Sequence, residues 1–202
     1  YRISCGNTSG GEHWRNRIRK FKGAFAQLRE KGLRYGGLGL EMWLNVYEKV
    51  LMPILMYGAE IFEPSETVRK SLDNAQATVL RQLIGMEYGS NTMWTLWEAG
   101  AKRVETRIKE RKMGVARKAK TLSGGILIKQ IQRGKRGIGE DIGLCEMARS
   151  IERDWSIQYV LGERGKTPTR KKWEKEIKDK ATDTEERMFR EWASEDRTPK
   201  RY

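Results

Sequence analysis

A chain of 202 residues with 41 lysines and arginines against 27 aspartates and glutamates carries a formal charge of +14, a field that draws polyanions. Two distant cysteines, Cys5 and Cys145, and a single histidine, His13, exclude a zinc knuckle or a paired CxxC zinc site within the chain, and fit a reducing, intracellular setting, nuclear or cytoplasmic. No apolar run approaches the ~20 residues of a membrane-spanning helix and no signal peptide is visible, so neither a spanning nor a secreted protein is expected.

The charge is unevenly spread. Residues 1–100 hold 13 basic and 10 acidic side chains, a net of +3, whereas residues 101–202 hold 28 and 17, a net of +11. Nucleic acid leads as the partner for such a field. An anionic membrane surface comes second and is not adopted; a basic protein without a polyanionic partner is the plain alternative.

The first eleven residues, YRISCGNTSGG, predict the end of a strand and then a turn, since the second half is rich in turn formers. From Glu12 to Lys31, Trp14, Ile18, Phe21, Phe25 and Leu28 recur at steps of four and three, the single apolar stripe of an amphipathic helix. Gly32 stops it, and Gly36, Gly37 and Gly39 make a connection or a hinge. Leu40 to Tyr57 predicts a second helix with Trp43, Tyr47, Val50 and Ile54 in one line and Leu44, Leu51 and Leu55 widening it. Pro53 should kink it, because proline lacks an N–H and clashes with the preceding turn, and near Gly58 the helix bends or ends. A third helix runs from about Ser65 to Gly85 with Val68, Leu72, Ala75, Val79 and Leu83 on its apolar side. A short one covers Thr92 to Ala99, and a fifth runs from about Lys102 to Leu122 through Val104, Ile108, Val115 and Ala119.

Organisation then weakens. A short apolar piece at 126–131 and an exposed loop at 133–143 precede a helix marked by Leu144, Met147, Ile151 and Trp155. Trp173 and Ile177 mark another, and Met188, Phe189 and Trp192 a last short one. The stretch from Glu163 is dense in charge and poor in apolar anchors, so partial disorder is expected there.

The run Val50 to Phe62, VLMPILMYGAEIF, is almost wholly apolar yet contains Glu60. It is too short to cross a bilayer, so burial in protein is expected, with the carboxylate tied to backbone amides or to an arginine such as Arg81.

These segments stand in a distinctive order: the basic helix HWRNRIRKFKGAFAQLRE, a glycine turn, LEMWLNVYEKVLMPILMYGAE with Pro53 ahead of Tyr57-Gly58 and Glu60, then SLDNAQATVLRQLIGM with Leu80-Arg81 ahead of Gly85. That order resembles the region following the polymerase palm in reverse transcriptases of non-LTR (LINE-type) retrotransposons, over roughly Tyr1 to Lys118. The resemblance implies an all-α, irregular, thumb-like helical bundle over residues 12–122. It implies a strand or turn at 1–11 leading from a palm, and the start at Tyr1 rather than Met fits a piece of a longer chain. Residues 123–202 are then a loosely packed, partly flexible basic helical extension. The implied partners are the RNA and/or DNA backbone of a template-primer and the polymerase palm.

In that family paired aspartates of the palm hold magnesium, so no cofactor is expected in this chain itself. The family motif Phe/Tyr-x-Asp-Asp does not occur here, and Glu140-Asp141 and Glu195-Asp196 lack its aromatic lead and strand context. Both doublets are expected at the solvated surface. Walker A, GxSxG and HExxH patterns are also lacking, so no catalysis is expected of this chain alone.

The candidate binding residues are basic. Arg15, Arg19 and Lys22 fall at steps of four and three along one side of the first helix, spaced to meet phosphates. Nine basic residues between Lys102 and Lys120 face only Glu105 and Glu110, and from these Arg103, Arg107, Arg111 and Lys118 are the second set. A solvated helix face is the plain alternative for each. The cluster Arg170, Lys171, Lys172, Lys175 and Lys178 is interleaved with acid and reads as solvated. Trp94 and Trp97 fall three apart, and Trp14, Trp43, Trp155, Trp173 and Trp192 each fall on an apolar stripe, which favours packing over the alternative of base stacking. His13 reads as a helix N-terminal residue or a phosphate contact. Beside the thumb-like reading stand two others: an independent nucleic-acid-binding module and a helical interaction protein.

Overall fold

The computed structural model describes residues 10–32, 39–60, 62–121, 150–156 and 169–195. The expected strand or turn at the N-terminus, both cysteines, the apolar piece at 126–131 and the loop at 133–143 lie outside these residues, as do Leu144, Met147 and the Glu140-Asp141 doublet. Every regular element among the described residues is helical, so the architecture is all-α. The chain divides into two compact units, Tyr1–Glu105 and Thr106–Tyr202. The division falls in the first turn of the helix that the sequence reading carried whole into the first domain.

In the first unit, α1 (Gly10–Glu30) buries Trp14, Phe21 and Phe25, while Ile18 and Leu28 stay half-buried. Gly32 follows at φ +95°, a left-handed conformation that ends helices without a Cβ penalty. α2 (Leu40–Val46) runs into a π-type turn at Tyr47–Leu51 and then α3 (Met52–Leu55). The Met52 N–H bonds to Tyr47 O, five residues back. Pro53, next in the chain, offers no N–H and its ring crowds the carbonyl four residues earlier, and the wider turn accommodates both.

That turn corrects the expected core line. Trp43, Tyr47, Leu51 and Leu55 are buried at even steps of four, with Met52 and Met56 buried beside them, and Val50 is 45% exposed. A regular α-helix drifts about 40° over four residues; the wider turn takes up part of that drift and keeps the four aligned.

α4 (Glu66–Ile84) follows its sequence signals closely. Ser65 Oγ accepts from the Val68 N–H at 3.4 Å, and Gly85 closes the helix at φ +74°. It buries Leu72, Ala75, Val79, Leu80 and Leu83, packing on α1 and on α5 (Thr92–Glu98). Asn91 caps α5 by accepting from the N–H groups of Met93 and Trp94.

A polar network runs through this core. Tyr47 donates its hydroxyl to Gln76 Oε1 at 2.7 Å, and Gln76 Nε2 donates to Asp73 Oδ1 at 2.8 Å and to Lys102 O at 3.3 Å. Asp73 Oδ1 also accepts the Val104 N–H at 2.8 Å, satisfying one orphan donor at the start of α6 (Val104–Thr121).

Glu60 is half-buried, and of its expected partners Arg81 is not one: it turns to Ser90 O and Thr92 Oγ1, binding the end of α4 to the start of α5. Arg81 lies in the last turn of α4, within reach of Ser90 in the following loop and of Thr92 in α5.

In the second unit, Met113 and Ala116 of α6, Ile151 of a helical stretch at 150–154 and Trp155 just after it, and Trp173, Ile177 and Ala181 of α7 (Arg170–Glu195) form one core cluster. α7 is a continuous helix of 26 residues where the sequence reading had two short ones and partial disorder. Its middle is polar and breaks the apolar stripe, but side-chain pairs such as Arg170–Glu174 and Arg190–Glu186, at four-residue spacing, run along it.

Candidate nucleic-acid interface

α1 separates its side chains by character. Trp14, Phe21 and Phe25 turn into the first unit, and Arg15, Arg19, Lys20, Lys22 and Arg29 are exposed. Arg15, Arg19, Lys22 and Arg29 follow one another at four- and three-residue steps or their sum, a basic stripe about 21 Å long at 1.5 Å per residue. Asn16 Oδ1 accepts from Arg19 at 3.2 Å, and Arg29 donates to Gln82 of α4 at 3.3 Å. The structure thus brings Arg15, Arg19 and Lys22 together as one exposed set.

The N-terminal end of this helix is clamped by residues the sequence reading did not connect. His13 Nε2 lies 2.9 Å from Tyr57 O, and the His13 ring stacks on Phe62 with centroids 4.4 Å apart. The Arg17 guanidinium sits 4.7 Å from the centre of the Tyr57 ring, a cation–π contact. Gly58 permits this approach: it adopts φ +85°, and a Cβ there would stand 3.0 Å from the His13 ring. The glycine within the apolar run was the available signal; the residue facing it, 45 positions earlier, had none.

The second basic set has a different setting. Arg103, Arg107 and Arg111 are half-buried, and Lys118 is exposed. Other cations of α6 are taken into the second unit. Lys109 pairs with Asp154 at 3.6 Å, and the Arg117 guanidinium lies 5.0 Å from the centre of the Trp173 ring. Lys112 is buried, and that desolvation pushes its ammonium below the ordinary lysine pKa of 10.5. Three cations of the α6 run, Lys109, Lys112 and Arg117, are thus engaged in pairing or packing, whereas Arg15, Arg19 and Lys22 of α1 are all exposed.

The tryptophans divide as well. Trp14, Trp43, Trp155 and Trp173 are core residues, as expected. Trp94 and Trp97 are not: they stand 46% and 41% exposed on α5, whose buried residues are Thr95 and Leu96.

Among the described residues no three His, Cys, Asp or Glu side chains gather as a metal-binding group, and no helix is long and apolar enough to cross a membrane. No protein-family model, curated protein or solved structure matches the chain.

Proposed function

We propose that this chain binds nucleic acid by its backbone, as the thumb-like part of a non-LTR retrotransposon reverse transcriptase whose palm lies elsewhere. The observation that carries the reading is α1, with Arg15, Arg19 and Lys22 exposed on one side and Trp14, Phe21 and Phe25 buried on the other. A rigid helix anchored in this way holds three cations at fixed spacing, which suits phosphates and reads no base sequence. The His13–Tyr57–Phe62 clamp fixes the start of that helix, and Arg29–Gln82 ties its end to α4.

The test is binding of the full chain to a fluorescent RNA–DNA hybrid across a salt series. Affinity should fall steeply with salt, and the Arg15→Ala, Arg19→Ala, Lys22→Ala triple variant should flatten the slope of log K against log salt by about 2–3. An unchanged slope, or no binding at low salt, would overturn the reading.

A further inference from the structure

We propose that Trp94 and Trp97 form a stacking platform for the unpaired bases of a single-stranded nucleic acid, adjoining the backbone grip on α1. This rests on the nucleic-acid reading above and adds a second, chemically different contact to it.

The two indoles lie three residues apart on α5, one helical turn, and so stand side by side. The opposite side of α5 is buried through Thr95, Leu96 and the adjoining Ala99. Two adjacent half-exposed tryptophans leave much apolar ring surface in water, and Tyr88, in the loop leading to α5, is 79% exposed. The outward side of the helix carries rings and Glu98, with no exposed aliphatic residue. A carboxylate there repels phosphate, so the contact it offers is ring on ring, which any base satisfies through its π face.

The charge a polyanion needs comes from the neighbouring element. Arg29, at the end of the basic stripe, is bonded to Gln82, while the adjacent Arg81 is bonded to Ser90 and Thr92 at the start of α5. The last turn of α4 therefore touches both helices, the end of α1 through Gln82 and the start of α5 through Arg81. A basic track continued by stacking side chains is the arrangement that holds single strands with little sequence preference.

The experiment compares the full chain with the Trp94→Ala, Trp97→Ala and double variants, using a fluorescent oligothymidine and the RNA–DNA hybrid as separate probes. Each ring removed should weaken oligothymidine binding about tenfold, an effect that persists at high salt, and leave hybrid binding unchanged. Trp94→Phe with Trp97→Phe should recover most of the loss, and unchanged helical circular dichroism confirms that the variants fold. Oligothymidine affinity that is unmoved by the double variant, or an equal loss on both probes, overturns the platform while the α1 reading stands. Self-association of the wild type that the double variant abolishes also overturns it, by assigning the rings to a protein contact. Absence of binding to either probe by the wild type overturns both readings.

Discussion

The two units of this protein are held together by different means. The first, Tyr1–Glu105, buries large side chains from α1 to α5 together with a connected polar network, Tyr47–Gln76–Asp73, and has helix ends closed by Ser65, Gly85 and Asn91. The second, Thr106–Tyr202, gathers a smaller cluster about Met113 and Trp173 and draws long cationic side chains into its packing: Lys112 is buried and Arg117 lies over Trp173. Basic residues thus have two fates. On α1 the anchored apolar side leaves Arg15, Arg19 and Lys22 facing water. On α6 several serve the fold, so local density of lysine and arginine does not by itself say which charges reach water.

The sharpest break of this contrast is Trp14→Ala. Truncating a fully buried tryptophan should cost about 3–5 kcal/mol, read as lost amide-exchange protection in α1 and α4. An equal loss in α7 would show that the units do not unfold separately. Gln76→Leu comes next. It leaves the Tyr47 hydroxyl and Asp73 without their shared partner, and should cost about 1–3 kcal/mol in a denaturant titration. No change would mean that the network is incidental to the first unit.

Gly58→Ala tests the clamp on α1. A side chain at φ +85° is strained by about 1–3 kcal/mol, and its Cβ would press on the His13 ring. His13→Ala should relieve the contact but not the backbone strain, so a double-mutant cycle should show partial rescue only. The smallest effect concerns Lys112. Its folded-state pKa lies below the ordinary value, so between the two the unfolded chain binds more protons and stability rises with pH. Relative to Lys112→Met, the wild type should therefore gain thermal stability as the pH climbs toward 10.5, the upper end of that window. A constant difference between the two proteins would place the Lys112 ammonium in a water-like setting.

Much of the first unit was legible residue by residue. The stripe Trp14–Phe21–Phe25, the cap at Ser65 and the stop at Gly85 depend on periodicity and on hydrogen bonds closed within one turn, so sequence spacing suffices to find them. Three readings missed for a common reason. Val50 is exposed because the turn before Pro53 widens; Arg81 bonds to Ser90 and Thr92 and not to Glu60; and α7 continues through a polar middle. In each case the deciding contact or register lies outside the local apolar pattern.

The candidate site divides along the same line. The sequence alone determined that Arg15, Arg19 and Lys22 share a side of one helix, because a period of 3.6 residues leaves no other arrangement. Tertiary structure decided which basic and aromatic residues reach water. It buried Lys112, placed Arg117 over Trp173, and left Trp94 and Trp97 exposed where their spacing had predicted packing. Helical periodicity fixes which side chains are neighbours, whereas exposure depends on which elements pack against each side, and only the folded chain supplies those.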